Sequence, residues 1–304
     1  MGFDIALIES EFPWFLPAVA FIFGAMIGSF LNVVIFRVPA GKSIVRPGSQ
    51  CSCGQPIAWY DIVPILSWLI LRGKARCCGN SFSFRYAFVE ALTGLLFLGC
   101  WIAHPPLVAL AGMVLISLLV AATFIDLDHM IIPDEITIWG TVVTVLIAAA
   151  VPGLHGFDTE PFFLMASIRS SFSAMIGVLI GSGVILWIGL LAEAILKKDA
   201  MGFGDVKFMG LIGAFLGWPG AIFTVFGGAM VGTAWFAIAT IIGKITANKS
   251  TAALRAETPE GEKTELAMGA QVPFGPMLAI AAAIYLLIGH CWVEPFVAEL
   301  LRIW

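Results

Sequence analysis

Long apolar runs separated by short polar stretches set the pattern of this chain. A helix needs about 20 apolar residues to cross a bilayer's hydrocarbon layer. Runs close to that length predict spans near residues 14–36, 87–103, 107–125, 136–151, 172–196, 206–218, 221–243 and 277–292. The sixth is short and interrupted by glycine, which predicts a helix tilted or packed wholly inside a bundle. Pro105-Pro106, Pro152-Gly153 and Pro219-Gly220 separate neighbouring runs. The pattern therefore predicts an all-α polytopic membrane protein of about eight transmembrane helices. A polar, cysteine-bearing stretch at residues 37–86 interrupts it between the first span (within residues 1–36) and the helical remainder (residues 87–304).

Composition agrees with the pattern. The chain is 60% hydrophobic and only 12% charged, with a mean hydropathy of +0.99, beyond the range of soluble domains. A net charge of −4 implies no nucleic-acid partner. The first residues carry Asp4, Glu9 and Glu11 but no base, which argues against a cleaved signal peptide. Every Lys and Arg except Arg169 and Arg302 falls in the segments after the first, fifth and seventh spans or at the edges of the spans that follow them. The positive-inside rule then puts both chain ends outside and residues 37–86 in the cytoplasm. Trp14, Trp218 and Trp292 stand near span ends, as an interfacial belt would place them.

Threaded this way, Asp126 ends the third span and Asp205 begins the sixth, both at the cytoplasmic face. An acid at a membrane boundary is costly and marks a functional site by default. Two close carboxyls cannot both ionise cheaply, so one can take a proton from water while the other, protonated, polarises a scissile carbonyl. Gly202 and Gly204 flank Phe203 just before Asp205 and allow backbone to approach the acid. The bland alternative is that both aspartates cap helices or mark loop ends. Gly-x-Gly here is no dinucleotide fingerprint, because no strand precedes it.

Five blocks together resemble bacterial type IV prepilin peptidases. They are Gly28-Ser29-Phe30-Leu31-Asn32-Val33-Val34, Pro64-Ile65-Leu66-Ser67-Trp68-Leu69, Asp126 with Ile132-Pro133-Asp134, Gly202-Phe203-Gly204-Asp205-Val206-Lys207, and Val272-Pro273-Phe274-Gly275-Pro276. They follow the family's order from the first span to the last. The resemblance implies a membrane aspartic endopeptidase of the bacterial inner membrane with Asp126 and Asp205 as its catalytic pair. It implies substrates that are prepilins or pseudopilins of pili, secretion or competence systems. Each carries a short basic leader, Gly at the cut and Phe after it, leading into an apolar helix. It also implies N-methylation of the new amino terminus with S-adenosylmethionine, for which the chain shows no soluble methyltransferase signature. Asp128 and Asp134 read as local structure, Asp134 as a helix N-cap.

The polar module holds Cys51, Cys53, Cys77 and Cys78. A cytoplasmic site disfavours disulfides, and four thiolates suit a tetrahedral zinc with a structural role; reduced structural thiols are the alternative. The family pattern is two Cys-x-x-Cys pairs. Here the first pair is one residue tighter, and in the second Ala75 occupies the usual first-cysteine position while Cys77 stands beside Cys78. Adjacent cysteines should strain a shared site. Cys100 and Cys291 read as packing residues. Glu90, inside the second span, needs a partner that the first loop could supply as a base. His104, His129, His155 and His290 show no ligand spacing, and residues 249–270 read as a mobile cytoplasmic loop. Two other classes fit part of the pattern. An ion-coupled transporter would use the paired acids but usually shows repeat symmetry near mid-membrane, and no repeat is evident. A zinc-bearing scaffold would need the cysteines and not the aspartates.

Overall fold

The structure, a computed structural model, describes residues 10–51, 53–197, 202–253 and 273–302. Among them there are helices and no strands: α1 (Phe15–Arg37), α2 (Leu66–Leu71), α3 (Arg85–Ala103), α4 (Pro106–His129), α5 (Asp134–Ala150), α6 (Phe163–Leu196), α7 (Phe203–Ala253), α8 (Gly275–Ile284) and α9 (His290–Arg302). A π-helical turn, Tyr285–Gly289, joins the last two. Six helical segments are long and apolar enough to cross a membrane. The eight predicted spans reappear because α5 is 17 residues long and α7 is a folded pair.

The fold of α7 turns on Gly217, whose φ of 66° and ψ of −178° break the helix just before Pro219. Gly181 on α6 shows the consequence: a Cβ there would meet both the Met209 carbonyl and the Ala221 side chain. Twelve residues of straight helix would hold those two about 18 Å apart, so the limbs lie side by side. The first limb is packed inside the bundle, with Phe208, Met209, Leu211, Ile212, Ala214 and Phe215 all buried. Helix α4 is the other internal element: 72% of its most apolar window is buried, against 22% for α6.

Small residues set the closest crossings, as expected where lipid gives helices no hydrophobic reason to associate. A Cβ on Gly177 would lie 1.9 Å from the Gly213 carbonyl oxygen, so α6 and the first limb of α7 touch backbone to backbone. Gly28 on α1 meets the Glu90 backbone of α3 in the same way, at 2.7 Å. The second limb of α7 runs antiparallel to α8, with Gly228 against Leu278 and Gly232 against Met277.

Helix α6 begins at Phe163, well before residue 172 where its apolar run starts. Its polar residues return their hydroxyls to the helices: Ser167 donates to the Ala149 carbonyl at 2.7 Å, Ser171 to the Ser167 carbonyl at 2.8 Å, and Ser170 bonds His155. Apolarity alone therefore underestimates the helix. Of the stretch 249–270, expected to be a mobile loop, residues 249–253 belong to α7, and the rest lies outside the described residues.

Candidate active site

Asp126 and Asp205 come together at one end of the bundle. Asp126 stands in the last turn of α4, 5% exposed. Met130, in the left-handed region, closes that helix and donates its N–H to the Asp126 carbonyl at 2.9 Å. Asp205 lies in the first turn of α7, and its N–H is tied to the Gly202 carbonyl at 3.1 Å. The two side chains act on each other electrostatically. Ile132, in the loop between α4 and α5, lies beside both Gly204 and Gly275: a Cβ on either glycine would meet its side chain.

Gly275 was visible in the sequence only as part of a motif; the structure gives it a role. It opens α8, and its N–H donates to Asp126 Oδ2 at 3.2 Å in a buried setting. The carboxyl thus faces a helix N-terminus, where backbone donors and the helix dipole favour an anion. A Cβ on Gly275 would sit 2.6 Å from that same oxygen. The glycines before Asp205 differ. A Cβ on Gly204 would meet Ile132 at an ordinary 3.6 Å, and one on Gly202 would find only Asp205 Oδ2, at 3.8 Å. Nothing among the described residues requires their smallness, which leaves open space beside the acid. A cavity of about 400 Å³ adjoins the same turn, lined by Ala229, Gly232, Thr233 and Phe236 of α7 and by Phe274 and Met277. Its walls are almost wholly apolar.

The other acids of the first motif are paired. Asp128 accepts both arms of Arg85 at 2.7 Å each. Asp134 is not an N-cap: Pro133 holds that place, and Asp134, one residue on, accepts a 2.7 Å bond from Lys207. That bond ties the start of α5 to the start of α7. Glu90 is satisfied by the first loop through an amide and not through a base, since the Ile65 N–H donates to its Oε2 at 2.7 Å. His104 and His290 stack 4.5 Å apart at the opposite end of the bundle, away from the aspartates.

The four module cysteines converge. Each pair rides a tight turn closed by a short antiparallel bridge, Gln50 with Pro56 and Lys74 with Ser81. Gly54 and Gly79 take the positive φ values, 84° and 71°, that let the turns close. Cys51 lies 3.5 Å from Cys78 and Cys53 lies 3.4 Å from Cys77. All four sulfurs fall within 4.8 Å of one another. Thiolates at ~2.3 Å from a tetrahedral zinc stand roughly 3.8 Å apart, so the set fits such an ion. The adjacent cysteines accommodate this because each faces a different member of the first pair. Hydrogen bonding from the Cys53 backbone and from the neighbouring thiols holds the Cys51 thiol down at about 6. Contact with Cys51, then Cys53, pushes Cys77 up to about 12. One anion is tolerated and a second is resisted, a cluster that a divalent cation would relieve. Arg76, between the bridged residues Lys74 and Ser81, braces the second turn through a bidentate bond to Asp61.

Comparison with known proteins covers both regions. Residues 22–104 match the Bacterial Peptidase A24 N-terminal domain and residues 113–237 the Type IV leader peptidase family. A prepilin leader peptidase/N-methyltransferase of Aeromonas hydrophila is 33% identical over 91% of this chain and 92% of its own length. One of Myxococcus xanthus is 38% identical over 70% of this chain, a match that spans 61% of that relative. A type 4 prepilin-like proteins leader peptide-processing enzyme of Escherichia coli is 36% identical over 71% of this chain and 82% of its own length. No solved structure matches. The order of the motifs, the polytopic fold and the length over which relatives align agree, and this chain is a multi-pass membrane peptidase that belongs to the type IV leader peptidase family.

Proposed function

We propose that the protein removes the leader of prepilins or pseudopilins at the cytoplasmic face of the bacterial inner membrane, with Asp126 and Asp205 as its catalytic pair. The observation that carries this reading is the meeting of the two motifs at one end of the bundle, with Asp126 Oδ2 on the Gly275 amide and Asp205 beside it. The pair shares one proton. Its carboxylate takes a proton from water as the oxygen attacks the scissile carbonyl, and its carboxylic acid protonates the carbonyl oxygen. Collapse of that adduct breaks the C–N bond, and a proton passes to the departing amine. The titration belongs to the pair as a unit.

The substrate's apolar helix lies in the bilayer and presents an extended leader junction to this end, where the space beside Gly202 and Gly204 admits backbone. A basic leader suits the acidic pair. The excess of Lys and Arg in the segments at this end supports its cytoplasmic orientation, with residues 37–86 as a cytoplasmic domain. Cys51, Cys53, Cys77 and Cys78 hold one zinc as a closed structural clip. N-methylation of the new amino terminus, which the relatives' names carry, extends to this chain by resemblance, with S-adenosylmethionine as methyl donor. The test is co-expression with a tagged prepilin followed by mass spectrometry of its amino terminus. Cleavage after glycine is expected, together with a methyl group on the following residue; an intact leader would sink the reading.

A further inference from the structure

We infer that Arg85 is a positioning residue for Asp126, clasping the helical turn that carries it. Arg85 is the first residue of α3, where the chain leaves the cysteine module. Its Nη1 donates to Asp128 Oδ1 and its Nη2 to Asp128 Oδ2, both at 2.7 Å. Nη2 also donates to the Phe124 carbonyl at 3.2 Å, and the guanidinium lies 5.0 Å from the centre of the Phe124 ring. Phe124 and Asp128 are the residues two before and two after Asp126, so one side chain grips the turn on both sides of the reacting carboxyl.

The chemistry suits the place. The last carbonyls of a helix lack partners within it, and a cation there is favoured by the helix dipole. A planar fork can bind a carboxylate with two parallel bonds while its face lies over a ring; an ammonium can sit over a ring but offers a point charge without the fork. Asp126 is then fixed from three sides: Gly275 on its carboxyl, Met130 on its carbonyl and Arg85 on its flanks. Arg85 itself starts a well-anchored helix. One residue on, the Tyr86 carbonyl accepts from Asn32 of α1 at 3.1 Å. Farther along α3, Glu90 receives the Ile65 amide of the module. Arg85 has no need to touch substrate for this role.

The inference rests on Asp126 being catalytic, so Asp126→Asn is assayed beside the Arg85 variants. The full chain is reconstituted in lipid vesicles, and cleavage of a peptide with a basic leader, Gly, Phe and an apolar helix is followed. With Asp126→Asn inactive, the reading of the site stands and the Arg85 variants decide the inference. Arg85→Ala should lower kcat about 10- to 100-fold, the scale of a catalytic group misplaced by ~1 Å, with KM within about twofold. Arg85→Lys should fall between Ala and wild type, because it keeps the charge and loses the fork. Thermal melting separates misplacement from misfolding; if the Ala variant fails to fold, the Lys variant decides alone. A rise in KM at unchanged kcat, or wild-type kcat in Arg85→Lys, would overturn the inference. Activity in Asp126→Asn would remove it together with the reading beneath it.

Discussion

The cysteine module and the aspartate end of the bundle sit next to each other and hold their reactive groups by opposite means. Between residues 38 and 84, Gly73 is the only buried residue among those described. The module has no core, and its four thiols are brought together by two glycine turns and a brace of surface hydrogen bonds. At the aspartate end, Asp126 is enclosed by α4, α7 and α8, and Ile125, Phe208 and Leu278 are fully buried. There, backbone contact between glycine-bearing helices fixes the geometry. A small unit without a core needs a cross-link to stay folded, whereas a packed bundle does not. The aspartate end should therefore answer to changes of single atoms near the carboxyls, and the module to the loss of whatever ties its thiols together.

The largest effect tests the first half of that contrast. Asp126→Asn and Asp205→Asn should each reduce cleavage by roughly 1,000-fold or more, as loss of one member of a concerted pair does. Both variants should stay folded in the membrane, since an amide is isosteric with the acid and Asp126 keeps an acceptor for the Gly275 N–H. Near-normal processing by either one, measured by the mobility and mass of the product, would end the aspartic mechanism.

Glycines on either side of the pair offer a sharper comparison. Gly275→Ala puts a methyl group 2.6 Å from Asp126 Oδ2 and 3.0 Å from Ile132 Cδ1, so the enclosed carboxyl must turn and the tip of the isoleucine must give way. The cost in stability should be only ~1 kcal/mol, the scale of a forced rotamer. Cleavage should drop about 100-fold through kcat, because the carboxyl has been turned away. Gly204→Ala meets only Ile132 at ordinary contact distance, so the free protein should be no less stable. If its bareness serves the substrate backbone, KM should rise about tenfold, the scale for one methyl group in a binding site. Equal kinetic signatures in the two variants would erase the distinction drawn between these glycines.

Much of this was legible beforehand for physical reasons that also mark where legibility ends. Apolar runs and breakers located the spans, because the bilayer imposes a length and forbids unpaired backbone. Basic residues placed Asp126 and Asp205 at one end. The four cysteines were legible as a set, because chemistry groups them whatever their spacing. Gly275 was not: it lies 149 residues from Asp126, and an amide donor leaves no trace in residue type. The early start of α6 was hidden because its serines look polar in sequence yet bond helix carbonyls. Asp134 suits an N-cap in sequence because it precedes a new apolar run. Proline itself takes that position, and the acid is drawn to Lys207 from another motif.

A smaller effect is expected at Asp128. Asp128→Asn gives up one charge, but its amide oxygen still accepts one bond from Arg85, and the Phe124 contacts remain. The pair is about one-third exposed on both sides, where such bridges contribute little to stability. Cleavage should fall about three- to tenfold, less than in Arg85→Ala, since part of the clasp remains. If Asp128→Asn is as inactive as Asp126→Asn, the catalytic acid has been assigned to the wrong residue.

The smallest effect on cleavage should come from the region with the least internal packing. Cys53→Ser or Cys78→Ser removes one corner of the four-thiol cluster, in which Cys53 faces Cys77 and Cys78 faces Cys51. A closed four-thiolate site has no open position for water or substrate, so a zinc held there would take no part in hydrolysis. Its binding energy is folding energy for a segment without a core. Elemental analysis should give about one zinc per wild-type chain and less in the variants, and protease should cut the variants' module sooner. Acidification should release the metal from the wild type, because protons compete for the thiolates. Methylation should suffer more than cleavage, and cleavage should stay within about threefold of wild type. The link between the regions through Arg85 sets that limit: a loosened module still leaves Arg85 at the head of α3, held there by the Asn32 bond to Tyr86. Wild-type protein that is fully active and protease-resistant without zinc would refute the metal clip, whereas cysteine variants as inactive as the aspartate variants would show that the two regions are one site.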